Sequence, residues 1–131
     1  MKRKMFLLAL VMLALTACGG GSKRTNAPAV LESVPAEYAG KTNPGGDATQ
    51  GAAVFAENCA ACHGEKGDGN SVIAQSITPP PANLVELQKK AGDDYLFWRI
   101  STGKPGTSMA PWNHLGEDQI WNLVAYIRTL K

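Results

Sequence analysis

The chain has 131 residues, enough for one small domain and too few for two. Its 13 Lys+Arg against 11 Asp+Glu leave a formal charge of only +2. No basic stripe runs along it, which argues against nucleic acid as a partner.

Lys2, Arg3 and Lys4 precede an apolar run over residues 5–15 that is too short to cross a bilayer as a stable helix. A basic start followed by a short apolar stretch reads as an export signal over residues 1–17, with a short transmembrane anchor as the alternative. Its removal takes away three cations and no acid, so the remaining chain is nearly neutral, and the apparent pI of 8.5 belongs to the precursor. Leu15-Thr16-Ala17-Cys18 resembles the lipobox of bacterial lipoproteins. That resemblance implies that Cys18 becomes the mature N-terminus, carries more than one acyl chain and fixes the protein stably to a membrane. Ordinary cleavage with a free thiol is the alternative. Three cysteines cannot all pair as disulfides, and lipidation of Cys18 accounts for the odd one.

Residues 18–46 are rich in Gly, Pro, Ser, Thr and Asn and lack helical periodicity, so they read as a tether. A flexible tether of this length spans roughly 30 Å root-mean-square. Alternatively the segment lies along a partner protein, with Val30, Leu31, Val34 and Tyr38 as its contacts.

The globular part is expected over residues 47–131. Asp47 with Gln50 has the form of an N-cap with a reciprocal N3 partner, and a helix should follow to about Asn58 with Ala52, Phe55, Ala56 and Cys59 on one face. Residues 64–69 form a Gly-rich loop, and Thr78-Pro79-Pro80-Pro81 an extended turn. Asn83 with Glu86 starts a second helix ending near Gly92; Asp93 or Asp94 caps a third, closed by Gly103. The last helix starts near Gly116, with Ile120, Leu123, Val124, Ile127 and Leu130 at a 3.6-residue period. Acids in its first turn and Arg128 and Lys131 at its end match the helix dipole. No alternating strand pattern is present. The result is an all-α domain of about four short helices, with a thin core that needs a staple.

Cys59-Ala60-Ala61-Cys62-His63 supplies one: C-x-x-C-H is the spacing of covalent c-type haem attachment. Two thiols reach the two vinyl groups on one porphyrin edge, and the next residue turns its imidazole under the iron. A redox C-x-x-C needs a strand–helix context that is not predicted. A zinc site needs four ligands, which two thiols and two scattered histidines do not obviously assemble. A plain disulfide leaves His63 unexplained. For a sixth iron ligand, Met109 is the only methionine beyond the signal, in a loop between two helices restricted by Pro111. His114 is the competing ligand, and Met109 is favoured. Met/His ligation raises the reduction potential.

Over residues 47–131 the chain resembles class I c-type cytochromes. Gly51 and Phe55 precede the attachment motif at the family's usual offset, and Leu123 and Tyr126 sit where the family packs its last helix against the first. The loops Gly67-Asp68-Gly69 and Pro80-Pro81-Ala82-Asn83-Leu84 match bacterial members. So do residues 95–100, Met109 with Trp112, and residues 120–128, which resemble bacterial subunits tied to respiratory complexes such as alternative complex III. The resemblance implies a small cytochrome c fold wrapped round one covalently bound haem c, held by Cys59, Cys62 and the axial pair His63 and Met109. Two departures stand out. Ala110 separates Met109 from Pro111, and Asn70 stands where relatives often have proline. In the family a proline carbonyl commonly orients the ligand imidazole; Pro79, Pro80 and Pro81 are the candidates here. Trp98, Arg99 and Trp112 are candidates for contacts to the haem propionates or for the haem wall.

The function expected is single-electron transfer outside the cytoplasmic membrane, in the periplasm or on the membrane's outer face. The protein would serve as a tethered shuttle or as the haem subunit of a quinol-oxidising complex or oxidase. Its partners would be redox proteins and the membrane, with no small-molecule substrate and no catalytic residues. The alternative is ligand chemistry at the iron, peroxidase-like or gas-binding, which needs an open sixth position and distal polar groups such as Ser108, Asn113 and His114.

Overall fold

The structure, a computed structural model, describes residues 30–131. The expected export signal, Cys18 and the first part of the tether lie outside the described residues. Five α-helices follow in order: α1 (Ala48–Asn58), α2 (Ala60–His63), α3 (Leu84–Leu87), α4 (Asp93–Thr102) and α5 (Glu117–Ile127). Two 3₁₀ turns, Ile73–Ser76 and Asn113–Leu115, lie between them. There is no strand among the described residues, so the all-α expectation stands, with α2 as an extra short helix that carries the C-x-x-C-H motif.

Helix α1 starts where the capping pattern places it. Asp47 accepts from the backbone N–H groups of Thr49 (2.7 Å) and Gln50 (3.2 Å). The reciprocal half of the cap is different: the Asp47 N–H donates to Asn122 Oδ1 of α5 at 2.7 Å, while the Gln50 side chain reaches only the Asp47 carboxylate. The buried face also differs from the expected one. It is formed by Gly51 and Phe55, with Ala52 half-buried and Ala56 exposed. Glycine carries no hydropathy signal, so the pattern of apolar side chains alone misplaces the face.

Gly51 is buried because α1 crosses α5 at backbone contact. A Cβ built on Gly51 would lie 1.9 Å from the Asn122 carbonyl oxygen and 2.9 Å from Tyr126 Cβ. Next to this contact the Phe55 and Tyr126 rings pack with centroids 5.1 Å apart. Ile120, Leu123, Val124 and Ile127 form the buried stripe of α5, as its period predicts. Full burial of Leu123 and Val124 stabilises the fold by about 1.5–3 kcal/mol each. Leu130 lies beyond the end of α5, half-buried, with its Cδ1 against Gly67.

Helix α4 takes Gly92 as its N-cap in place of an Asp93 or Asp94 side chain. Both acids sit in its first turn, where they suit the dipole, and Asp94 Oδ1 accepts from the Tyr95 N–H at 2.8 Å. Asp94 accepts from Gly40 N–H, and Asp93 accepts from Asn43 N–H and from Arg128. Asn83 caps α3 by accepting from Glu86 N–H at 3.0 Å, but that helix closes at Leu87, well short of Gly92.

The folded unit begins at Leu31, well before the expected boundary at residue 47. Leu31, Val34 and Tyr38 pack on the protein's own core, with Tyr38 6.2 Å from Phe97, itself stacked on Trp121 at 4.2 Å. Glu32 pairs with Arg99, Lys41 with Glu117, and Asn43 Nδ2 donates to the Trp121 carbonyl at 2.9 Å. This strap is irregular, held by isolated anchors separated by Pro35, Gly40 and Pro44, and so shows no period.

Candidate functional site

Cys59 closes α1, its N–H bonded to the Phe55 carbonyl at 2.8 Å. From there the chain winds one further turn, with the N–H groups of Cys62 and His63 both returning to the Cys59 carbonyl (3.2 and 2.9 Å). Cys62 and His63 lie three and four residues beyond Cys59, on its side of the turn, and all three residues line one cleft. Gly64, at φ +79, ends that turn, and the His63 carbonyl accepts from Gly69 N–H at 2.7 Å.

His63 Nδ1 lies 3.0 Å from the Ala82 carbonyl oxygen. The acceptor is therefore the residue after the proline run, and not Pro79, Pro80 or Pro81. Pro79 and Pro81 line the cleft instead. With Nδ1–H donated to a carbonyl, Nε2 keeps its lone pair for a metal.

Cys59, Cys62, His63 and Met109 open onto one cleft of about 640 Å³, counted out to solvent. Its other walls are mostly apolar, with Ile77, Pro79, Pro81, Ile100, Ala110 and Trp112. That lining suits a largely apolar ligand oriented by a few polar groups. Met109 is half-buried there, and its loop is clipped to the end of α4. Lys104 N–H donates to the Met109 carbonyl (2.9 Å), and Trp112 N–H donates to the Ile100 carbonyl (3.0 Å). Gly103, at φ +67, lets the loop fold back: a Cβ there would lie 2.5 Å from the Met109 oxygen.

The other expected site residues separate. Trp112 lines the cleft. His114 is exposed in a 3₁₀ turn, its ring 5.4 Å from that of Trp112, and does not line the cleft. Trp98 and Arg99 do not line it either. The buried Arg99 guanidinium lies 3.9 Å from the Trp98 ring; its two Nη groups bind Glu32 and the Gly103 carbonyl, while Nε has no hydrogen-bond partner among the described residues.

Burial pushes the Cys59 thiol up to about 11, with the neighbouring Cys62 adding to the effect. A redox-active C-x-x-C needs the opposite, a stabilised thiolate. Burial also lowers the His63 pKa, against the raising effect of the Ala82 hydrogen bond, and so favours the neutral, ligating imidazole. Among the described residues no three His, Cys, Asp or Glu side chains cluster as a metal site. Two thiols, an oriented imidazole and a thioether on one apolar cleft are instead the donor set of a covalently held haem, and the residues fit it.

Residues 46–127 match the family model for cytochrome C oxidase, cbb3-type, subunit III. The chain belongs to this family. It is a class I cytochrome c domain that carries covalently bound haem c. It is 33% identical over 81 residues to the cbb3-type cytochrome c oxidase subunit FixP of Rhizobium meliloti (strain 1021), an alignment covering 62% of this chain and 27% of that one. It is 30% identical over 90 residues to cytochrome c-554(547) of Halothiobacillus neapolitanus, covering 66% of this chain and 99% of that one. Among solved structures it resembles a chain of the Kuenenia stuttgartiensis reducing HAO-like protein complex. The TM-score is 0.55 at 29% identity, over 61% of this chain and 40% of the other. The cytochrome thus spans about a quarter of the FixP subunit and nearly the whole of cytochrome c-554(547).

Three residues of the site carry little or no sequence signal for their roles. Ala82 is marked only by its place after the prolines. Gly103 is readable as a helix stop, but not as the floor under Met109. Glu32 carries no local signal at all, because its partner Arg99 is far along the chain.

Proposed function

We propose that this protein transfers single electrons between protein partners of a respiratory chain, outside the cytoplasmic membrane, and that lipidated Cys18 holds it there. Bound haem c supplies a one-electron iron couple. Cys59 and Cys62 would form the thioethers, and His63 Nε2 and the Met109 sulfur would hold the iron. One observation carries this reading: two thiols, an imidazole and a thioether from separate parts of the chain line the same apolar cleft, while His114 does not. An apolar lining excludes water from the iron, and a clipped loop limits ligand movement between oxidation states. Both suit a carrier better than a site for substrate chemistry.

The relatives' membership of multisubunit assemblies supports a protein redox partner, either in a permanent complex or at the end of a tether. No helix among the described residues is long and apolar enough to cross a membrane. The anchoring reading therefore rests on the lipobox-like string at Cys18.

The test is spectroscopic. The chain made in a host that matures c-type cytochromes should carry haem that survives a denaturing gel. Oxidised protein should show the sulfur–iron charge-transfer band at the red edge of the visible spectrum. Met109→Ala should abolish that band and His114→Ala should keep it. Ready carbon monoxide binding by the reduced wild-type protein, or a band that survives Met109→Ala, would overturn the assignment. Cys18→Ser should move the protein from the membrane fraction to the soluble one.

A further inference from the structure

The Met109 loop is tied to the N-terminal strap through a chain of charged contacts. Arg99 is 6% exposed, and its Nη2 lies 2.5 Å from Glu32 Oε2. Its Nη1 donates to the Gly103 carbonyl at 3.2 Å. Lys104, the next residue, places its Nζ 3.5 Å from the other Glu32 oxygen and its backbone N–H 2.9 Å from the Met109 carbonyl. One carboxylate of the strap thus holds cations on both sides of Gly103, where the chain turns from α4 into the loop. At Gly103 the loop backbone approaches so closely that no side chain fits.

Arg99 has no part in lining the cleft, yet it is a buried cation on the core helix α4. A buried cation is strongly unfavourable without a partner. Glu32 supplies one from the strap, which also packs on the core through Leu31, Val34 and Tyr38. Bidentate use of the guanidinium, one arm to the strap and one to the loop floor, fixes both in one geometry.

From these contacts we infer that Glu32 and Arg99 are positioning residues for the Met109 thioether: the strap sets how firmly the methionine loop is held, and so how tightly the sulfur binds iron. This rests on Met109 being an axial ligand, as proposed above. It gives the strap a role beyond covering the core. The segment leading towards the anchor is mechanically linked to the ligand loop, so displacing the strap loosens the sulfur.

Glu32→Gln in the holoprotein is the mildest test, because that side chain is about half exposed and its loss leaves the core intact. The readouts are the sulfur–iron band and the imidazole concentration that half-displaces the thioether. Unfolding is followed separately by denaturant titration. A charge-assisted hydrogen bond of this kind corresponds to a roughly tenfold lower half-displacing concentration. Glu86→Gln, which breaks an exposed pair with Lys89 elsewhere on the surface, is the control and should leave ligand displacement unchanged. Arg99→Lys keeps the charge but loses the fork, and should fall between wild type and Glu32→Gln. If Glu32→Gln changes unfolding but leaves the band and imidazole displacement as in wild type, the inference is overturned. If Met109→Ala leaves the band in place, the axial assignment itself is lost, so the two failures are distinguishable.

Discussion

The Nδ1 of His63 is bonded to the backbone carbonyl of Ala82, a residue whose own side chain takes no part. The next two residues hold this acceptor in place: Asn83 caps α3, and Leu84 N–H donates to the Gly67 carbonyl at 2.7 Å. Asn83→Ala removes the cap, with an expected cost of about 1 kcal/mol in denaturant unfolding. It should also loosen the Ala82 carbonyl. A carbonyl acceptor raises the basicity of a ligating imidazole, and a more basic ligand favours the oxidised iron. The reduction potential should therefore rise, by less than roughly 60 mV, the amount that marks a tenfold change in a one-electron equilibrium. A potential unchanged or lowered in a normally folded Asn83→Ala protein would remove the link between this cap and the axial ligand.

Gly51→Ala reverses the usual rule for helices. At an exposed helical site the change stabilises by roughly 0.5–1 kcal/mol. At Gly51 the new methyl would lie 1.9 Å from the Asn122 oxygen, so α1 and α5 must move apart. That crossing also holds the Asn122-to-Asp47 bond and the Phe55–Tyr126 ring contact. Overpacking of this kind costs about 1–3 kcal/mol or more. The expected result is a lowered unfolding midpoint and a poor yield of haem-loaded protein. An unaltered or higher midpoint would show that the crossing can open freely.

Legibility in the sequence depends on the range of each signal. The caps at Asp47 and Asn83, the stop at Gly103 and the stripe of α5 are local, and each lies where the pattern places it. The C-x-x-C-H string sets its own geometry, because two thiols and an imidazole within five residues need only one helical turn. The strap over residues 31–46 reads as a tether in sequence because its anchors Leu31, Val34, Tyr38 and Asn43 follow no period and pack against core residues distant in the chain. Arg99 reads toward a propionate because a cation near a haem motif invites that pairing. The carboxylate it meets is 67 residues away, a distance no pattern spans.

The Arg99 guanidinium, by its hydrogen bond first, holds the Glu32 carboxyl below its usual value of 4.5. The folded protein therefore binds this proton less readily than the unfolded chain does. The contribution of Glu32 to stability is complete above about 4.5 and disappears as pH falls through the folded value. Unfolding midpoints of wild type and Glu32→Gln should differ by a constant amount from about pH 7 down to about pH 5. They should then converge on further acidification. A difference that persists undiminished to about pH 2 would show that the pair does not stabilise through the ionised carboxylate.

Arg128 closes the far side of the domain. It lies within hydrogen-bonding distance of Asp93 through Nε and Nη2 (2.9 and 2.7 Å), donates to the Ala91 carbonyl at 2.8 Å, and also bonds the Gln88 carbonyl. One guanidinium thus joins the end of α5 to the loop between α3 and α4 and to the first turn of α4. Arg128→Gln leaves two carbonyls short of a charged donor, with an expected cost of about 2 kcal/mol. Arg128→Lys should recover only part of this, since an ammonium cannot present the same planar fork to three acceptors. Arg128 lies outside the cleft, so neither variant should alter the sulfur–iron band. This separates its contribution, which is to stability alone, from that assigned to Arg99.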